Sequence, residues 1–401
     1  MLLAVGCETL IFINLGLNMS KTEVEPPMLM RDGISEVSVH ALALRLKSNW
    51  QPFSISKFEQ LVFPELPALG LGERIQLVRR ALKVVLPDDF RKAVPIMVDS
   101  LGPEIPEGSL ESVDLAGPNG FIVISQTAYV ARYGLGHFEL SMKAFYEMTK
   151  RFSAEGSIRY FILQHENQTL KQLDEWAMDD NFHIRRLVSE CTRPRLPWMI
   201  RLPKYVDNPA PVLKLLNKLR HDPSLYVRRS VANNLNDIAK DNPDLVTGTL
   251  QRWNKKSPSK EMAWLTRHAL RTLVKQGNTA ALTLLGYPQS IKLSVEQFKA
   301  GPKRLSLGGE LRLKIKLLSA EKKPVPLMID FVLHHMKANG QLRPKVFKLT
   351  KKTIAPGEVL VIEKSHPIRP ITTRKYYSGR HEVELQINGR IVASDRFHLQ
   401  V

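Results

Sequence analysis

Leu170, Leu173, Trp176, Asp179, Ile184, Arg185, Arg186 and Val188 return 43 residues later as Leu213, Leu216, Leu219, Asp222, Val227, Arg228, Arg229 and Val231. A fainter third copy holds Leu265, Arg267 and Ala269. A repeat of about 40 residues has room for two short helices and a turn, and one such unit cannot bury its own apolar face. Successive copies must therefore stack, each covering its neighbour.

Helical spacing extends upstream of the repeat. Val39, Leu42 and Leu46 fall on one face, as do Ile75, Val78, Leu82 and Val85. Breakers at Pro87–Asp88, Gly102–Pro103, Asp179–Asp180, Asp222–Pro223 and Asn242–Pro243 cut the chain into short helices. The period, with two helices per copy and the D-x-x-x-x-[IV]-R-R motif, predicts an α-solenoid of HEAT-like repeats over 35–287.

The periodicity changes at the GYPQS turn, 286–290. Leu311, Leu313, Ile315 and Leu317 alternate with Arg312, Lys314 and Lys316. Similar runs fall near 292–298, 327–336, 345–351, 358–364, 380–387 and 391–400, with Gly308–Gly309, Asn339–Gly340, Pro356–Gly357 and Asn388–Gly389 as turns. The last pair reads as a tight hairpin. Seven short strands predict an all-β immunoglobulin-like sandwich over 290–401, without the cysteine pair of antibody domains. The fold class is thus multidomain, helical and then all-β.

Charge follows the same boundary. The net charge is +19 over 401 residues, and residues 290–401 hold 22 Lys+Arg against 9 Asp+Glu. Such an excess on the outward strand faces fits a polyanionic partner, nucleic acid being the commonest. Two cysteines exclude a disulfide scaffold and paired-cysteine zinc sites. Neither a phosphate-binding P-loop, nor a dinucleotide fingerprint, nor H-E-x-x-H occurs, so no cofactor and no metal are expected. Residues 1–18 are apolar but contain Glu8, and they lack the basic start and cleavage site of a signal peptide. Residues 1–34 read as a leader or tail, with translation starting at Met19, and no membrane span is expected. The reduced bacterial cytoplasm or nucleoid is the natural compartment, and a monomer the default.

Chemistry concentrates between 150 and 240. A helix from about Ser153 carries Glu155 and Arg159. A second, His183 to Cys191, buries Ile184, Leu187, Val188 and Cys191 and sets Arg186 and Glu190 four apart on the other face. One repeat later Arg229, Asn233 and Asp237 form a polar stripe at i, i+4 and i+8, and stacking equivalent helices predicts one shared surface. Carboxylates among arginines have two readings. Glu190 and Asp237 orient the arginines by ion pairs, or they face a cationic substrate. Between the copies, Thr192–Trp198 (TRPRLPW) ends the helix with prolines. Its Arg193 and Arg195 can reach phosphate, and Trp198 reads as a core plug or a ligand contact. Cys191 reads as a buried small hydrophobe, and His334, His335 and His366 as strand or loop residues.

The segments HIRRLVSECTRPRLPW and YVRRSVANNLNDIAKDNP resemble the HEAT-repeat DNA alkylation repair glycosylases of the AlkC type, over roughly 35–287. The resemblance implies three catalytic carboxylates. The first, in a family segment like S-E-F-A-I-R, falls on Glu155, with Arg159 kept and Gly156 in place of the aromatic. The second falls on Glu190, the third on Asp237 and the loop tryptophan on Trp198. It implies an N-glycosylase for cationic alkylated bases such as 3-methyladenine or 3-methylcytosine. Such an enzyme leaves an abasic site in double-stranded DNA without enclosing the base in a deep pocket. A basic sandwich at the C-terminus, found in a subset of the family, implies further DNA contact. Arg159, Arg186, Arg193, Arg195, Trp198, Arg228, Arg229 and Asn233 are then the DNA-binding candidates. The competing readings are a non-catalytic HEAT scaffold on DNA and a protein-interaction module with acidic partners.

Overall fold

The computed structural model describes residues 29–106, 120–372 and 374–401. Residues 1–28 of the expected leader lie outside them, whereas Met30–Gly33 form a short 3-10 helix and Ile34 is buried, so the last six residues belong to the folded unit rather than to a tail. Sixteen helices among the described residues precede eight strands. Packing divides the chain into two compact units. One holds the described residues to Leu202 with Ala210–Leu219; the other holds Pro203–Pro209 with Arg220–Val401. The change from helix to strand falls where the periodicity placed it, between Leu284 and Leu293. The packing division lies upstream of it, so the second unit joins the last helices to the sandwich.

In the first unit, α1 (Glu36–Asn49), α2 (Ile55–Val62), α3 (Leu71–Val85) and α4 (Phe90–Asp99) lead into α5 (Ile122–Tyr133) and α6 (Phe138–Thr149). Val39, Leu42 and Leu46 of α1 are buried, as are Val78, Leu82 and Val85 of α3. Then come α7 (Arg159–Gln164), α8 (Glu166–Trp176), α9 (Phe182–Cys191) and α11 (Ala210–Leu219), with α9 packed between α8 and α11. Helix α9 buries Ile184, Leu187, Val188 and Cys191, each aliphatic contributing about 1.5–3 kcal/mol. The helix expected from Ser153 begins only at Arg159. Ser153 Oγ accepts the Glu155 N–H at 3.2 Å, and the chain turns through 155–158 before helix forms.

The second unit contains α10 (Pro203–Asp207), α12 (Leu225–Ile238), α13 (Pro243–Lys256), α14 (Lys260–Ala269), α15 (Arg271–Lys275) and α16 (Thr279–Leu284). Among the described residues no helix is long and apolar enough to cross a membrane.

The repeat motif has a local cause. In the first copy Asp179 Oδ1 accepts the Asn181 N–H at 2.8 Å, and Arg185 Nη1 donates to the carbonyls of Asp179 (2.9 Å) and Asp180 (2.8 Å). In the second, Asp222 Oδ1 accepts the Ser224 N–H at 2.9 Å, and Arg228 Nη1 donates to Asp222 (2.6 Å) and Pro223 (2.8 Å). The Asp caps the turn and the first Arg closes it, so the next helix starts at a fixed place.

The sandwich has a three-stranded sheet, order β1-β3-β6, and a five-stranded sheet, order β2-β8-β7-β4-β5. The strands are β1 (Leu293–Gly301), β2 (Arg304–Ser306), β3 (Glu310–Ser319), β4 (Val325–Met336), β5 (Leu342–Ile354), β6 (Val359–Pro367), β7 (Gly379–Ile387) and β8 (Arg390–Gln400). The alternating leucines of β3 point into the core. Seven strands match the alternating runs. The eighth, β2, is three residues pairing in parallel with β8, too short to show a period. Asn388 (φ 46°) and Gly389 (φ 82°) make the left-handed two-residue turn between β7 and β8. The buried Asn388 amide donates to Pro288 O (2.9 Å) and accepts from Met328 N (2.7 Å). The Gly389 backbone lies against that of Gly277, after α15; a Cβ on Gly277 would come within 2.6 Å of Gly389 O. The hairpin tip is thereby seated on the last helices.

Candidate DNA-processing site

In the first unit the turn 153–158, the face of α9 and the loop after it converge. Glu155 Oε2 accepts from Ser153 Oγ at 2.8 Å and pairs with Arg186 Nη1. Arg186 Nη2 lies 3.8 Å from Glu190 Oε2, the i,i+4 spacing expected on α9. Glu190, 5 % exposed, pairs through Oε1 with Arg193 Nη1. Glu155, Arg186, Glu190 and Arg193 thus form a continuous chain of alternating charge. Buried carboxylates are tolerable only with such partners. Its order is acid, base, acid, base, so each inner group is held from two sides.

Other residues depart from expectation. Arg159, taken as a DNA contact, is wholly buried, and its guanidinium donates to the carbonyls of Cys191, Arg193 and Ile200. It is spent inside the protein and has no face to offer a phosphate. Trp198 is no core plug. It is 69 % exposed, with φ 61°, in the left-handed region that few non-glycine residues occupy. Arg195 is half-buried in the same loop. Gly156 stands against Met199: a Cβ there would overlap the Met199 sulfur, which fills the space a larger residue would take. Cys191 is fully buried, and burial pushes its thiol well above the usual range, so it is no nucleophile.

In the second unit the expected stripe dives inward along α12. Arg229 is exposed and Asn233 half-buried, while Asp237 is 1 % exposed and pairs with Lys240 Nζ at 2.7 Å. Asn233 Oδ1 accepts from Arg271 Nη2 (2.9 Å) and His268 Nε2 (3.1 Å). The His268 ring stacks on Trp264 at 5.1 Å. Burial, then Arg271 and Arg229, hold His268 below its ordinary value. Arg228 is half-buried, and its Nη1 is engaged in closing the Asp222 turn. Sequence reasoning missed Lys240, His268, Arg271 and Trp264. The faint third copy at 265–269 was the one signal for the last three, since it marks the next helix packed on α12, while Lys240 follows Asp237 at i,i+3 spacing.

Five of the sandwich's 22 Lys and Arg residues line one edge. Arg343, Lys345, Lys348, Lys351 and Lys352 are all exposed on β5, the last strand of its sheet. Cations on a free edge also oppose association with another strand.

The comparisons coincide with these features. Residues 152–273, from just before Glu155 to just beyond Arg271, match the model of the DNA alkylation repair enzyme family. Residues 294–401 match the C-terminal immunoglobulin-like domain named for the uncharacterised protein YhaZ. YhaZ of Bacillus subtilis strain 168 is 33 % identical over 371 residues, 92 % of this chain and 99 % of that protein. The solved alkylpurine DNA glycosylase AlkC of Pseudomonas fluorescens, bound to DNA containing an abasic site analog, is similar throughout. It is 34 % identical with a TM-score of 0.83, covering 93 % of this chain and 99 % of that one. The chain belongs to the DNA alkylation repair enzyme family. Within that family it has the AlkC fold, with helical repeats followed by an immunoglobulin-like domain.

Proposed function

We propose that this chain is a DNA glycosylase of base excision repair that hydrolyses the N-glycosidic bond of cationic alkylated bases in duplex DNA. One observation carries the reading. Glu190 is held between Arg186 and Arg193, with Glu155 on the far side of Arg186, inside the segment that matches the repair-enzyme family.

The chemistry needs little more. An N3-alkylated base is positively charged and already activated as a leaving group. As its C1′–N bond stretches, positive charge moves onto the sugar. Fixed carboxylates, oriented before the reaction, stabilise that oxocarbenium-like state. Water then attacks C1′, a carboxylate accepts its proton, and the base leaves neutral, with an abasic site in the strand. Glu155, Glu190 and Asp237 are the proposed carboxylates. Arg186 and Arg193 set the first two in place, so the ion-pair reading and the catalytic reading describe one arrangement. Arg195, Arg229 and the Arg271–His268–Asn233 cluster are proposed phosphate contacts, and the β5 edge a further one. A single chain acts on one lesion, without enclosing the base.

Methylated duplex DNA incubated with the purified chain tests this directly. Release of 3-methyladenine or 3-methylcytosine with matching abasic sites is expected, and Glu190→Gln should lower release by about 10²–10³-fold while keeping DNA binding. Binding without release in the wild type would favour the non-catalytic scaffold. Absence of salt-dependent DNA binding would reject both.

A further inference from the structure

Arg159 heads the fully buried side chains by volume. A guanidinium out of water is tolerated only where its N–H groups are met. Nε donates to Ile200 O at 2.8 Å and Nη2 to the same oxygen at 2.5 Å; Nη1 donates to Cys191 O at 2.8 Å and Arg193 O at 2.7 Å. These carbonyls stand at the two ends of the segment 191–200. Cys191 and Arg193 are its entry and Ile200 its exit, so one side chain ties the neck of the loop.

At the tip of that loop Trp198 is mostly exposed and in the left-handed region. A non-glycine residue there is held against a backbone cost of about 1–3 kcal/mol. The local turn supplies part of that hold, Met199 N donating to Leu196 O at 3.3 Å with Pro197 ahead of Trp198, and the loop's attachments fix that turn in place. The second attachment is a lighter one, the end of the Met199 side chain, itself 37 % exposed, lying over Gly156. Both anchors belong to the segment that carries Glu155: Gly156 is the next residue, and Arg159 opens α7 four residues on.

We infer that Arg159 is a positioning residue that fixes the Trp198 indole relative to Glu155, with Gly156 as the seat for Met199. It acts through the loop and touches no DNA. The inference rests on the glycosylase reading, in which Trp198 is a DNA contact beside the lesion, for what the indole serves, and on geometry alone for the anchoring. Lysine at 159 would keep the charge but present it from a single nitrogen, which cannot span the carbonyls at both ends of the loop.

The test is a double-mutant cycle on the full chain. Single-turnover release of 3-methyladenine is measured for wild type, Arg159→Lys, Trp198→Ala and the pair. Arg159→Lys should slow release about tenfold to a hundredfold, with the Kd for undamaged duplex changed less than about threefold. In the Trp198→Ala background the same change should add less than about twofold. Independent, multiplying effects would overturn the inference, as would a wild-type rate for Arg159→Lys. A parallel readout needs no activity: 19F spectra of 5-fluorotryptophan protein, the Trp198 line being assigned by its loss in Trp198→Ala. That line should shift or broaden in Arg159→Lys, and an unchanged line overturns the anchoring. If the wild type releases no base, the glycosylase reading fails while the spectra still judge the anchor. Should Arg159→Lys not fold, Gly156→Ala, which pushes on Met199 from the other attachment, carries both readouts with the same expected outcomes.

Discussion

The two copies of the repeat share a turn and differ in the helix that it starts. In both, the aspartate caps and the first arginine, Arg185 or Arg228, is consumed closing the turn. The second arginine diverges. Arg186 bridges Glu155 and Glu190, whereas Arg229 is exposed and makes no ion pair among the described residues. Four residues on, Glu190 has Asn233 as its counterpart, a neutral acceptor for Arg271 and His268. Helix α9 stops at Cys191 and gives way to the loop of Trp198, but α12 continues to Ile238, and only this extra length places Asp237. What repeats builds the scaffold; the proposed chemistry sits where the copies stop agreeing.

The sharpest way to break that comparison is the i+4 position. Glu190→Gln should lower base release by about 10²–10³-fold with DNA binding kept, whereas Asn233→Ala should leave release within about tenfold and weaken binding. Equal losses in a single-turnover assay would erase the distinction between the copies. Next come the second-copy arginines. Arg229→Ala should reduce the slope of log binding constant against log salt by about 0.9, with little change in thermal stability. Arg228→Ala should do the reverse, destabilising by about 1.5–3 kcal/mol in urea unfolding while leaving the salt slope intact. A salt-slope change in Arg228→Ala would return it to the DNA surface.

A smaller effect separates the two units by pH. His268, His366 and His381 lie below their ordinary value chiefly through burial, and burial takes His335 to about 3. All four are in the second unit, as is His221, lowered by burial in the same way. A histidine depressed in the folded state binds fewer protons folded than unfolded, so stability is lost as pH falls below about 6.5. Asp330, raised to about 6 by burial, works in the opposite sense and offsets one of these histidines. The carboxylates held low in the first unit, such as Glu147, begin to lose their contribution only nearer pH 4.5. Hydrogen exchange at pH 5.5 against pH 7.5 should therefore show protection falling in 220–401 before it falls in 36–202. Parallel loss in both units would refute the histidine account.

Periodic features were legible in the sequence because a period needs many residues to agree. The helices of the repeat and seven of the eight strands were placed that way. Single residues were not. An arginine at the start of a helix reads as surface, and nothing in its neighbours shows that Arg159 meets three carbonyls some 30 to 40 positions away. A tryptophan between prolines reads as core, because exposure of Trp198 depends on a loop tied at its neck. Arg186 and Glu190 were found by i,i+4 spacing, a local relation. The pairing of Arg186 with Glu155 is not local: spacing puts Glu155 on a separate helix, and the resemblance alone gives it a role beside Glu190. His268 and Arg271 stayed hidden because the third copy kept too few of the shared residues to align.

The contact between Gly277 and Gly389 leaves no room for even a methyl group. A joint that tight, backed by the Asn388 hydrogen bonds to Pro288 and Met328, does not hinge. If the β5 lysines and Arg229 touch one duplex, as proposed, that joint gives little, and a lesion that softens the helix would lower the elastic toll of bringing the nucleic acid to both.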